Sequence, residues 1–362
     1  MKNIMKTLFV VFGSFALLTS ANAGPVDVTG TAKVTYNING SESTTAKNSK
    51  GKAIGITNEL AFTGTGETDQ GYTWKYQVEL DDNSSGVTTF DDTRLEITTD
   101  MGAVAFYNTE GSLSAKYKQS HAAYGVGSDN GSGGLFTYGS NISGYNNVQL
   151  HTAADMLPYG ASIKVGYAPS SNSSKNSGNS AGAVNTDGNG VYEVLAQVTP
   201  VAGLTISASG LEKENEGGKQ DYQTAFVGAS YTAGNLSLGI THGGVSNNVQ
   251  TADGIAQATA LTATTLGNVN GFENDAWSIG YAVNDALSVS YGEETSNALK
   301  RTVAAGTDGT TRNDVELKIT TMQAAYTMGG FTSFIMAKDI ENEAYALGVD
   351  QKETIIGINM AF

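Results

Sequence analysis

The chain contains no cysteine, so an exported protein of this size must be held by its core, its backbone pairing or its membrane rather than by disulfides. Only four of its 362 residues are proline, against 45 glycines. With abundant Thr, Ser, Asn and Tyr, that balance argues for a β-rich chain with many turns. Beyond the N-terminal segment no apolar run reaches the roughly 18 residues that a membrane helix needs, which excludes a helical membrane protein. Positive charge is scarce: 20 Lys and Arg stand against 35 Asp and Glu, a formal net charge of −15, which argues against a nucleic-acid partner. His121, His151 and His242 show no metal-ligand spacing. No Ser–His–acid grouping is recognisable, and the Gly-rich stretches lack the Lys and helix context of a phosphate loop. Neither an enzyme nor a bound cofactor is expected.

What is present begins with an address. Lys2 and Lys6 form a positive n-region, Thr7 to Leu18 an apolar core, and Ala21-Asn22-Ala23 a small-x-small cleavage site, the pattern of a secretory signal peptide. Residues 1–23 are expected to be removed, leaving 24–362 as the folded domain. Without Lys2 and Lys6 the remainder carries 18 basic and 35 acidic residues, a net charge of −17.

From Val26 onward the chain alternates. Val26, Val28, Gly30, Ala32, Val34, Tyr36 and Ile38 share one face, while Asp27, Thr29, Thr31, Lys33, Thr35 and Asn37 share the other. A soluble half-buried strand shows this over about five or six residues, whereas a run of about a dozen matches a tilted strand crossing a bilayer. Similar stretches recur, among them Ile54 to Phe62, Tyr72 to Leu80, Thr93 to Thr99, Ala103 to Asn108, Ala161 to Tyr167, Tyr222 to Tyr231 and Trp277 to Val283. Short turns such as Asp100-Met101-Gly102 and Gly329-Gly330 alternate with long polar loops, Asp81 to Asp92 read among them. The phase within Val315 to Met328 predicts a β-bulge near Thr320 to Met322. The tally is about sixteen strands, at roughly twenty residues per strand and connection. At the end, Ile356, Ile358, Met360 and Phe362 share a face, and such a terminal strand needs a partner.

An apolar and a polar face on an antiparallel meander fit either a sandwich or a barrel in lipid. The polar faces carry lone charges, Lys33, Glu59, Lys75, Arg94 and Glu96, and aromatics recur near strand ends as a membrane girdle would require. Both favour lipid, and a sheet in lipid must close because an unpaired backbone group there costs several kcal/mol. The expected fold is all-β, a transmembrane antiparallel β-barrel whose last strand pairs with its first.

The signal peptide, the first alternating strand, the terminal Phe362 and the single long irregular segment after the fifth strand together resemble the general diffusion porins of Gram-negative bacteria. The turn Tyr326-Thr327-Met328-Gly329 looks like those of the alphaproteobacterial branch. The resemblance implies a homotrimeric sixteen-stranded barrel in the outer membrane with an inward-folded third loop, in contact with lipid and lipopolysaccharide. It also implies a C-terminal aromatic, Phe362, read by the outer-membrane insertion machinery. Residues 109–143 then form the constriction loop, with Glu110, Lys116, Lys118, His121 and Asp129 available to set its field. In related porins an acidic loop faces a basic wall. Lys33, Lys75 and Arg94 fit the wall, whereas the loop mixes both signs.

The function so implied is passive diffusion of ions and small hydrophilic solutes, with weak cation selectivity from the negative net charge. Asp81-Asp82 and Asp91-Asp92 are suited to a loosely held divalent cation in the external loops. Two other readings stand beside this one. A solute-specific porin would show aromatics along the lumen, yet they fall mainly on the outward face. A surface β-protein acting as an adhesin or binding module would pack Tyr72, Trp74 and Tyr76 on a second sheet.

Overall fold

The computed structural model describes residues 21–38, 54–82, 88–115, 123, 139–169, 190–214, 221–246, 269–300, 315–345, 348 and 350–362. Sixteen strands run in order: β1 Ala21–Asn37, β2 Ile54–Thr68, β3 Thr73–Asp82, β4 Thr88–Thr99, β5 Gly102–Asn108, β6 Asn147–Thr152, β7 Ser162–Ala168 and β8 Val191–Val201, followed by β9 Leu204–Lys213, β10 Tyr222–Ala233, β11 Leu236–Ser246, β12 Val269–Ala282, β13 Leu287–Lys300, β14 Val315–Met328, β15 Phe331–Glu341 and β16 Gln351–Ala361. Each pairs with its sequence neighbours, and β1 pairs with β16 to close the barrel. Closure leaves no strand edge for hydrocarbon to meet.

The seam runs from Thr31 opposite Ala361 to Asn37 opposite Ile355. It is extended by two backbone bonds at the last residue: Gly30 N–H donates to Phe362 O at 2.8 Å, and Phe362 N–H donates to Gly30 O at 3.0 Å. The terminal aromatic thus occupies a ladder position, with its ring 62 % exposed on the outside. Gly30 makes room for it, since a Cβ there would sit 2.6 Å from Phe362 Cζ.

Period-two alternation sets the two faces everywhere. On β16, Ile356 and Ile358 are exposed outward while Gln351, Glu353 and Ile355 are buried inward. Leu236, Leu238 and Ile240 of β11 and Trp277, Ile279 and Tyr281 of β12 lie likewise on the outer face.

Two expectations change. The ladders from β14 to β13 and β15 run without interruption through Thr320 to Met322, so the bulge expected there is absent. Leu317 and Ile319 face inward and are buried, while Met322 and Tyr326 face outward. Both sets are apolar because this part of the interior is itself dry, so no phase slip is needed. Register shifts occur instead at Ala23/Val26, Val78/Leu80, Val198/Val201 and Val269/Gly271. The third contains Pro200, which has no N–H for a ladder. Second, the loop read over Asp81 to Asp92 is mostly strand, since β3 reaches Asp82 and β4 starts at Thr88. The wall continues upward on polar residues, where the hydrophobic signal that marks a strand is missing. β13 likewise runs on to Lys300 along a mostly polar stretch. β1 begins at Ala21, and Ala21 to Ala23 pair with Gly66 to Thr68.

Candidate pore constriction

The inward face of the early strands carries the charges that the sequence pointed to. Register places Gln77 of β3 opposite Arg94 of β4, and Lys75 opposite Glu96. Arg94 lies opposite Tyr107 of β5, Glu59 of β2 opposite Asp81, and Lys33 of β1 between Thr57 and Asn359. Acids and bases therefore interleave on this wall rather than forming a basic patch.

Arg94 is the hub. Its Nη1 donates to Glu110 Oε1 at 2.9 Å, and its Nη2 donates to Gln77 Oε1, while Gln77 Nε2 donates to Glu79 Oε1. Beside the pair, Thr109 Oγ1 donates to Asp92 Oδ1 at 2.8 Å. Glu110 lies just beyond β5, and burial pushes its carboxyl above the ordinary carboxylate range. The neighbouring Arg94 and Lys75 pull it back, and Glu79 and Asp92 push it further. Wall and long segment thus meet in a direct ion pair.

The described parts of the segment between β5 and β6 touch the wall at several further points. Ala115 N–H donates to Ser209 Oγ of β9 and Ala123 N–H to Ser290 Oγ of β13, each at 2.7 Å. On the return, Ser140 N–H donates to Tyr222 Oη of β10 at 2.7 Å and Ile142 N–H to Glu193 Oε2 of β8 at 2.8 Å. Ser209, Tyr222 and Glu193 share the inward register of Leu211, Thr224 and Gln149. Leu113 and Ile142 pack over Gly166, where a Cβ would fall 2.6 Å from Ile142 Cδ1. Of the expected loop residues only Glu110 is among those described. Lys116, Lys118, His121 and Asp129 lie outside the described residues.

The remaining inward wall differs in kind. Leu195, Leu211, Phe226, Val245, Phe272 and Leu317 form one buried apolar cluster with Leu113 and Ile142 of the segment and with Tyr345. Tyr345, from the β15–β16 connection, packs its ring 5.1 Å from that of Phe272 at a 48° tilt and shares a 2.7 Å hydrogen bond with Ser296. The expectation that aromatics lie mainly outside therefore needs amending. The girdle is there, and a second set fills the interior under the connections.

Outside the lumen, His242 Nδ1 lies 2.8 Å from Asp275 Oδ1, and Glu273 brings a third donor atom within 4.8 Å of both. Sequence spacing gave no hint of this, because strand pairing, not a motif, aligns β11 with β12. His242 and Asp275 also line an outward groove of about 420 Å3 with Ile206, Val227, Ile240 and Trp277, facing away from the pore.

A closed barrel with an apolar exterior and a charged inner wall is a transmembrane channel of the outer-membrane type. The family follows from comparison: a model of the Gram-negative porin family matches residues 8–344, and the chain belongs to that family. The match is to the family as a whole and singles out no branch. No curated protein sequence matches. Among solved structures, an anion-selective porin from Comamonas acidovorans is similar at 13 % identity and TM-score 0.64, over 94 % of this chain and 100 % of that one. Salmonella typhi OmpF in complex with daunomycin gives 15 % identity and TM-score 0.63, over 93 % and 97 %. OmpT of Vibrio cholerae in a trimer form gives 15 % and 0.62, over 94 % and 100 %. The protein is an outer-membrane channel for passive diffusion.

Proposed function

We propose that the segment between β5 and β6 folds into the lumen and forms its narrowest point, and that the pore is a weakly cation-selective general diffusion channel without enzymatic activity. The observation that carries this reading is the pair of hydrogen bonds from Ala115 to Ser209 and from Ala123 to Ser290. Together with the Arg94–Glu110 pair, they tie one segment to β4, β9 and β13, strands separated around the barrel. Cation preference is supported by the acidic balance of the chain and by Glu59, Glu79 and Asp81 on the inner wall beside a neutralised Arg94. Its test is the reversal potential of single channels in a salt gradient, where an anion-selective sign overturns it.

A solute-specific pore is the weaker reading. Phe226, Phe272, Tyr145, Tyr222 and Tyr345 face inward but are buried, so they offer permeant solutes no continuous aromatic track. Candidate sugars tested as blockers of conductance separate the two readings. We further read the assembly as a homotrimer, in keeping with the trimer form of the similar OmpT, set in lipid and lipopolysaccharide and inserted through recognition of Phe362. Crosslinking in native membranes tests the stoichiometry. Divalent binding at Asp81-Asp82 or Asp91-Asp92 is tested by the effect of chelators on extraction.

A further inference from the structure

The segment after β5 leaves one strand and re-enters its antiparallel neighbour, so its two ends lie side by side. The paired ladder of β5 and β6 stops at Tyr107 opposite Asn147. From that point back along the ladder, three inward side chains of β6, Asn147, Gln149 and His151, form a chain of hydrogen bonds. Gln149 Nε2 donates to Asn147 Oδ1 at 2.9 Å and also to Gly111 O. Its Oε1 therefore faces His151 Nε2, 2.9 Å away, and the imidazole must donate there. Asn147 Nδ2 in turn donates to Glu110 O at 3.0 Å and Tyr145 O at 2.9 Å, with Ile142 O at 3.3 Å. The amide donors of Asn147 are thus spent on the outgoing limb at Glu110 and the returning limb at Ile142 and Tyr145. None is spent on the strand ladder. Gly111 is shaped to this contact: its φ is +85°, and a Cβ would lie 2.7 Å from both Gln149 Nε2 and Tyr107 Cδ2.

We propose that Asn147 and Gln149 are positioning residues that clamp the neck of the segment and thereby set how far it projects across the lumen, with His151 fixing the orientation of the two amides. The inference rests on reading this segment as the constriction. Arg94 and Glu193 each fasten one limb to a different wall. Asn147 fastens the limbs to each other, so it fixes the aperture rather than the attachment. A buried carbonyl that loses its donor is displaced from its packed position, and the loss of two or three such bonds raises the population of displaced conformers on the order of tenfold or more.

The test uses the full barrel in planar bilayers, with Asn147→Leu and Gln149→Leu compared with a variant lacking residues 116–138. Heat-modifiable gel migration reports barrel integrity in each. Both point variants are expected to keep the wild-type unfolding temperature within a few degrees, while occupancy of conductance sublevels rises about tenfold. The deletion variant is expected to conduct more in its main state. If the deletion enlarges conductance and the point variants leave sublevels unchanged, the clamp is refuted and the constriction stands. If sublevels appear only together with a collapsed unfolding temperature, the role is structural and the clamp is refuted. If the deletion leaves conductance unchanged, the constriction reading itself fails.

Discussion

Replacing Glu110 by Gln removes one negative charge from the inner wall and leaves Arg94 with only neutral amide acceptors among its hydrogen-bond partners here. The ion pair is 2.9 Å long and about a quarter exposed on each side, 26 % for Arg94 and 22 % for Glu110, so its field is screened by the pore water and salt. A unit charge about 5 Å from a permeating ion contributes roughly 1 to 2 kcal/mol at an intermediate dielectric, and salt screening cuts this to about 0.5 to 1 kcal/mol. The expected change is a two- to fivefold fall in the cation-to-anion permeability ratio. Arg94→Gln should raise the ratio by a similar factor. The double variant should return near the wild-type value, because the pair it removes is neutral. The pH dependence has a definite sign. Burial holds the Glu110 carboxyl above its ordinary range, so on acidification it neutralises before an ordinary glutamate, whose pKa is about 4.3. Cation preference should begin to fall above that pH, and Glu110→Gln should remove that part of the titration. Reversal potentials across a potassium chloride gradient measure all of this. Single variants that shift the ratio in the same direction, or a double variant no closer to wild type than either, would refute the pairing.

Further outcomes follow from the barrel itself. Deleting Phe362 removes the two backbone bonds to Gly30 and should impair outer-membrane assembly far more than the conductance of channels that do form; equal amounts of assembled protein would count against it. Gly30→Leu attacks the same contact from the other side, since its side chain must displace the Phe362 ring, and should lower the temperature at which the folded band disappears in gels. Lys338 and Glu353 form an ion pair at 2.9 Å with exposures of 0 % and 2 %, and Asn37 Nδ2 also donates to Glu353 at 3.2 Å. Lys338→Met leaves a buried carboxylate and should cost about 3 to 5 kcal/mol, most of it recovered in Lys338→Met/Glu353→Leu; thermal melts of the pair distinguish this from a packing effect. At Gly102, φ is +135° and a Cβ would fall 2.1 Å from His151 O, so Gly102→Val should destabilise the β4–β5 turn, with the loss read in the same melts.

Much of the barrel was legible because lipid outside and water inside impose a strict period of two. The alternating stretches Val26 to Ile38 and Ile356 to Phe362 pointed to a seam, and Gly30 to Asn37 pair with Ile355 to Phe362 across it. That signal fails wherever one side loses its contrast. On β14 the inside is dry, so Leu317 and Ile319 looked like a slipped phase. The residues of 81–82 and 88–92 are mostly polar, so strand looked like loop. The site was half legible. Arg94 stood out as a lone charge on a strand, and Glu110 as the first acid of the long segment. Nothing in the chain announced that Ser209 and Ser290 would receive backbone donors from residues 94 and 167 positions away, because a serine on a polar strand face has no distinguishing neighbour. The ladder of Asn147, Gln149 and His151 was visible as polar alternation, but its targets are carbonyls, which every residue carries.

The buried cluster beneath the connections gives the barrel two unlike halves. From β7 to β15 the wall is packed on its inner side by residues such as Leu195, Phe226, Phe272 and Leu317, as a soluble domain is packed. From β1 to β5 its inner side carries charged side chains, Lys33, Glu59, Lys75, Arg94 and Glu96 among them. A bilayer supplies the outer packing for both, but in mild detergent only the first half keeps a solid core of its own. Amide exchange there should remain slow across both faces of the sheet while the early strands loosen, and unfolding should start beside Arg94. An ion that passes beside the early strands would meet acids and bases in alternation, Glu59 and Asp81 next to Lys75, Arg94 and Glu96.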